Sequence, residues 1–201
     1  MQYLIINTSS SECTASVFKV QSGEIYEKKS REKNSHSEML FEVIDEALSA
    51  ASLTYEEITD VAAIVGPGSF TGLRASLSAV QGLRLASCAH VHGVSLLELQ
   101  AYSIYRTSEE NDRDILSIVS TIQKEPADKA FYQIFSNSLV PVSDFKFCSK
   151  SELPQGLYAA AKNGTDPLVF SAKFVGEYLA HKLQHNLPET PLTPIYSRNY
   201  N

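Results

Sequence analysis

Two hydrophobic periods alternate along the chain, and their order outlines the architecture. Residues 2–7 (QYLIIN) form a short apolar run and residues 14–20 (TASVFKV) alternate, with a serine-rich turn between them. Residues 24–32 (EIYEKKSRE) follow Ser22 and Gly23 as a more polar run. Short runs bounded by turn residues predict three strands in an antiparallel meander. The period then lengthens, with Met39, Leu40, Val43, Ile44, Ala47, Leu48 and Ala51 at helical spacing. Ser35 and Glu38 have capping-box spacing ahead of that helix, and Thr54 with Glu57 repeats it before a shorter helical segment. Residues 61–65 (VAAIV) read as a buried strand, 72–87 as a helix, 91–94 (VHGV) as a strand and 96–106 (LLELQAYSIYR) as a helix.

Residues 108–114 (SEENDRD) are charged and carry no core positions, which marks the expected boundary. Beyond it DILSIVSTI, KAFYQIF and VPVSDFKF read as further strands. PLVFS (167–171), a helical AKFVGEYLAHKLQ and a proline-bearing tail complete the chain. Strands precede a helix in both halves, so two α/β lobes are expected, 1–107 and a shorter 108–201.

Composition narrows the functional classes. The 201 residues are 43% hydrophobic and 20% charged, enough for a well-buried core. No apolar run approaches the length of a membrane span, and MQYLIINTSS lacks the basic n-region of a signal peptide. A cytoplasmic protein is therefore expected. The formal net charge of −6 argues against tight nucleic-acid binding by this chain alone. Cys13, Cys88 and Cys148 are odd in number, far apart and form no C-x-x-C, so buried free thiols are expected.

The richest local signal is GPGSFTG (66–72). Pro67 presets one turn dihedral, the glycines allow positive φ, and Ser69 or Thr71 can cap the helix that follows. Amides gathered at a helix N-terminus suit an anion. The established phosphate patterns nevertheless fail: no lysine follows Gly72, and the third glycine of G-x-G-x-x-G would stand at Thr71. On the next helix Ala75, Ala79, Gly82 and Ala86 form a bare stripe, while Leu73, Leu77, Val80 and Leu83 form an apolar one. One stripe fills a core; the other permits close approach by a neighbouring element, within the chain or from another chain.

Other chemistry is sparse. His36 has no identifiable ligand or base partner. His181 and His185 have the i, i+4 spacing of a helical metal pair but lack the glutamate of H-E-x-x-H, and read as a solvated face. A nucleophile elbow, G-x-S-x-G, is absent.

GPGSFTGLR resembles the signature of the TsaB (YeaZ) proteins, relatives of TsaD and the Kae-type proteins. LIINTSSSECTASVF, HSEMLFEVIDEAL, GVSLLELQAY, TIQKEPADKAFYQIF and the closing PIYSR resemble further family elements in the same order. The resemblance spans nearly the whole chain, and is strongest over 36–100. It implies an actin-like α/β fold of the sugar-kinase/Hsp70 type, in two lobes. It also implies a part in forming threonylcarbamoyladenosine at position 37 of tRNAs that read codons starting with A. In that role the chain is a non-catalytic, pseudoenzyme partner of TsaD, with TsaE as a further partner. A homodimer when TsaD is absent, and tRNA contact through TsaD alone, are also implied.

Three departures support the non-catalytic role. TsaD proteins carry metal-binding histidines where Leu96 and Gln100 stand here, and neither replaces an imidazole. The first loop has Asn7, Thr8 and Ser9 in place of Asp-Thr-Ser, and Thr121–Gln123 replaces Asp-Ala-Arg. No catalytic residue, no metal and no required cofactor are expected; ATP or ADP binding is disfavoured. A vestigial nucleotide loop would comprise Asn7, Thr8, Ser9, Gly66, Gly68, Ser69, Thr71 and Gly72. The implied interface comprises His36, Met39, Leu40, Val43, Ile44, Ala47, Arg74, Ala75, Ser78, Ala79 and Gly82. The alternative is a metal-dependent glycopeptidase-like or ATP-binding enzyme of the same fold.

Overall fold

The computed structural model describes residues 1–10, 12–30, 36–107, 114–120, 128–154 and 170–196, without the side chains of 36–38 and 120. A five-stranded sheet holds β1 (Gln2–Asn7), β2 (Thr14–Lys19), β3 (Glu24–Lys29), β4 (Asp60–Gly66) and β5 (His90–Ser95) in the order β3-β2-β1-β4-β5. The meander is antiparallel as its short turns require, and β4 and β5 join in parallel through helical crossovers. Helix α1 (His36–Ala51) packs on β2 and β3, and α2 (Phe70–Ala86) on β4. Helices α3 (Leu96–Thr107) and α4 (Ala172–Gln184) pack together, with α4 also on β1 and β2. Successive residues Tyr3, Leu4, Ile5 and Ile6 are all buried, so both faces of the sheet are covered. All seven residues of β4 are buried as well.

A second sheet, antiparallel, holds β6 (Ile115–Ser120), β7 (Lys129–Phe135) and β8 (Lys146–Ser149) in that order. It rests on α3, and the Ser117 hydroxyl donates to the Leu97 carbonyl at 2.7 Å to join the two. The strand expected in VPVSDFKF begins later, at Lys146; the upstream part only bridges Phe135 through Pro141. Pro141 has no amide proton to continue a ladder. The segment after Thr54 is a single 3-10 turn, Tyr55–Glu57, and its expected capping box is present. Ser35, most of PLVFS, the triplet Thr121–Gln123 and much of the boundary at 108–114 lie outside the described residues.

Burial corrects the expectation for the cysteines. Cys13 is buried, and desolvation pushes its thiol up to about 11, but Cys88 is exposed and Cys148 half-buried. Cys88 follows the C-cap of α2 and is exposed among the described residues. Asp60 and His92, which no motif singled out, form a buried pair at 2.9 Å across β4 and β5. Burial alone would raise the Asp60 carboxyl; hydrogen bonds from His92 and Thr59, with the charges of His92 and His90, outweigh it and hold the group below its ordinary value. A depressed acid stabilises the fold above its unfolded pKa of about 3.9, and that contribution is lost as pH falls through the folded value. The stability gap between the wild-type chain and Asp60→Asn should therefore narrow between pH 7 and pH 3, as read by urea denaturation.

Candidate functional site

Three separate stretches of sequence meet at the C-terminal ends of β1 and β4. The first is the turn Asn7-Thr8-Ser9. The Asn7 side-chain oxygen accepts from the Ser9 amide at 3.0 Å and from the Ser9 hydroxyl at 2.7 Å. That Asx-type turn is what an asparagine does well without a charge. The second stretch is the glycine turn 66–72. Ser69 caps α2 by accepting from the Gly72 amide at 3.3 Å, and it donates its own amide to the Ser9 carbonyl at 2.8 Å. Of the two cap candidates the structure uses Ser69, while Thr71 is exposed within the first turn of the helix.

The glycines have a specific steric reason. A β-carbon on Gly72 would fall onto the Thr8 carbonyl oxygen, and one on Gly68 would stand 2.6 Å from the Ser9 carbonyl oxygen. The Thr8 hydroxyl donates to the Gly72 carbonyl at 2.7 Å, locking the same approach from the other side. Gly66 has φ +117, and a β-carbon there would stand 2.6 Å from the Ile195 carbonyl oxygen. The third stretch is thus the tail: the Ile195 amide donates to the Val65 carbonyl at 2.8 Å, and Tyr196 meets Phe70 edge-on at 4.9 Å. Backbone on backbone, rather than a ligand, explains each of these three glycines. The amide of Gly72, which an anion would use, already has its serine acceptor.

A second cluster lies where β5 runs into α3. Ser95 and Glu98 form a reciprocal capping box, at 3.0 Å and 2.7 Å. The other carboxylate oxygen of Glu98 accepts from Lys182 at 2.7 Å, from the Tyr178 hydroxyl at 2.9 Å and from the Thr190 hydroxyl at 2.6 Å. Glu98 and Lys182 are 6% and 4% exposed, so this is a buried ion pair. Desolvation, then the charge and hydrogen bond of Glu98, raise the Tyr178 phenol well above its ordinary value, so it stays a donor. Leu96 and Gln100, on either side of Glu98, are buried in α3 at 3% and 6%.

The chain has known relatives in sequence and in fold. A family profile described as "TsaD: tRNA N6-adenosine threonylcarbamoyltransferase" matches residues 26–166, more than half of the chain. The chain belongs to this family, in its TsaB (YeaZ) branch. The tRNA threonylcarbamoyladenosine biosynthesis protein TsaB of Buchnera aphidicola subsp. Schizaphis graminum is 32% identical over 103 residues, 51% of this chain and 48% of that protein. The TsaB of Buchnera aphidicola subsp. Baizongia pistaciae is 30% identical over 103 residues, 51% of this chain and 46% of that protein. The chain thus matches about half the length of these relatives. YeaZ from Pseudomonas aeruginosa superposes with TM-score 0.67 at 18% identity, covering 98% of this chain and 99% of that one. The α/β class expected from the sequence is the one found, and the YeaZ structures share the fold.

For a TsaB-type chain the two helices α1 and α2 carry the expected interface, and burial divides those residues. Leu40, Val43, Ile44 and Ala47 are 0–2% exposed and Ala79 is 5% exposed. These five belong to the chain's own core, because the sheet beneath α1 and α2 needs an apolar lid; they do not form an outer surface. Met39 and Ala75 are half-buried, and Arg74, Ser78 and Gly82 are exposed. Phe41 and Leu85, which the helical spacing did not single out, are 51% and 90% exposed on the same helices. The side chain of His36 lies outside the described residues.

Proposed function

We propose that this TsaB-type chain acts in threonylcarbamoyladenosine formation on tRNA as the non-catalytic partner of a TsaD protein. The supporting observation is the state of positions 96 and 100. Both side chains are packed inside the chain beneath the capping box of α3. Neither leucine nor a glutamine amide supplies the imidazoles of the TsaD metal site, and a buried apolar leucine offers nothing to a substrate. What α1 and α2 do offer is exposed apolar surface, Phe41 on α1 and Leu85 on α2, the latter on the face that carries Ser78 and Gly82. A partner's helices can approach closely there. The partner in this reading is TsaD, with TsaE acting on the pair and tRNA contacted through TsaD. In its absence a second copy occupies the same face.

Reconstitution tests the reading. Modified adenosine should form when this chain, TsaD, TsaE and the threonylcarbamoyl donor are mixed with tRNA, and should fail when any one is omitted. Metal-dependent proteolysis or ATP turnover by the isolated chain would count decisively for an enzyme instead. The interface has its own probe. A β-carbon on Gly82 meets nothing within 4 Å, so Gly82→Arg keeps the fold while filling the approach surface. Co-purification of Gly82→Arg with TsaD should drop by at least about tenfold, a loss of roughly 1.4 kcal/mol of binding. Unchanged recovery would remove α2 from the interface.

A further inference from the structure

The geometry points to a transition-metal site on α4, formed by His181 and His185 and suited to a divalent first-row ion such as Cu2+ or Zn2+. The ring centroids of the two histidines lie 4.2 Å apart, one helical turn from each other on one face. Two imidazoles on one tetrahedral zinc place their nitrogens about 3.3 Å apart, given metal–nitrogen bonds near 2.05 Å. Small rotations of two adjacent rings reach that spacing without moving the helix.

The surroundings differ from those of a freely solvated pair. His181 is half-buried, with its ring 5.1 Å from that of Tyr102 and 5.8 Å from that of Tyr105, so α3 supports one side of the site. His185 is exposed at the C-cap of α4, where its amide donates back to the His181 carbonyl at 3.0 Å. Supporting one ligand and leaving the other open fixes a position while admitting an ion.

Glu177 stands one turn before His181 but is held by Arg106 at 2.6 Å. Among the described residues no group of three or more ligand side chains assembles. Two imidazoles therefore form the site, and water completes the coordination. Borderline ions that prefer nitrogen fit such a set; Mg2+ and Ca2+, which prefer oxygen, do not. Cu2+ should bind tighter than Zn2+. The ion would tie together the last turn of α4, the turn that also carries Lys182.

Titration of the intact chain with Cu2+, followed by calorimetry and by electron paramagnetic resonance, tests this. The expected result is one strongest site with a two-nitrogen signature, and at least about tenfold weaker binding in His185→Gln, whose exposed ring can be removed without disturbing packing. Zn2+ should raise the melting temperature of the wild-type chain and leave that of His185→Gln unmoved. His92→Gln serves as the comparison, since His92 is buried on Asp60, and should keep the strongest site. Equal Cu2+ affinity in the wild-type chain and His185→Gln would overturn the assignment, as would a one-nitrogen spectrum.

Discussion

Replacing Gly72 by alanine should cost about 3–5 kcal/mol of stability, at the far end of what single substitutions do. The added methyl would fall onto the Thr8 carbonyl oxygen, which is backbone and has no rotamer to yield. The N-terminus of α2 or the Asn7–Ser9 turn must retreat. Overpacking of this kind typically costs 1–3 kcal/mol. Retreat also breaks the buried bond from the Thr8 hydroxyl to the Gly72 carbonyl, leaving two buried polar groups to be satisfied at roughly 1–3 kcal/mol. In a chain of this size the melting temperature should fall by about 10 °C. Gly82→Ala is the control: nothing lies within 4 Å of its β-carbon, and a helix interior prefers alanine to glycine by about 1 kcal/mol. One glycine-to-alanine change should destabilise and the other stabilise, ten residues apart on the same helix. If Gly72→Ala melts with the wild-type chain, the packing reading of the glycine turn is wrong. An anion-binding role would then have to explain it.

How much of this was legible depends on how far the cause lies along the chain. The strands and helices of residues 1–107 are written in local period, because each buries one stripe or face against a common core. Leu73, Leu77, Val80 and Leu83 point into that core as their spacing requires. The interface that the resemblance implies includes Leu40, Val43, Ile44, Ala47 and Ala79, which the chain's own core covers. Periodicity says that a side chain is covered, without saying whether its own sheet or another chain covers it. The glycine turn shows the second limit. Its sequence announces positive φ and close approach, yet Gly72 needs Thr8 and Gly66 needs Ile195, and neither contact has any trace at short range. For Glu98 the capping-box half is legible as S-x-x-E at 95–98. Its charge partner Lys182 is 84 residues away, on the stripe of α4 that also carries Val175, Tyr178 and Leu179, and a stripe names no partner. The pairing of Asp60 with His92, 32 residues apart, was hidden in the same way.

Lys182→Met should therefore be the most damaging change outside the glycine turn, at about 3–5 kcal/mol, because it strands a buried carboxylate. Tyr178 and Thr190 would remain as donors to Glu98, but neither carries the balancing charge. The double variant Glu98→Gln with Lys182→Met should recover part of the loss, since a neutral amide can still accept from Tyr178. That recovery, read as the coupling in a double-mutant cycle by urea denaturation, separates a charge effect from lost packing. The consequence should also travel. Thr190 donates to Glu98, accepts from Lys182, and lies in the segment that bridges Gly93 on the edge strand β5. Five residues later Ile195 closes on Val65 and Gly66. Releasing Lys182 loosens the anchor of that tail, so the Ile195 amide should lose hydrogen-exchange protection in Lys182→Met before the sheet amides of β1 do. Uniform loss of protection across the tail and β1 would mean that the ion pair supports the fold as a whole and has no special hold on the seam where the three motifs meet.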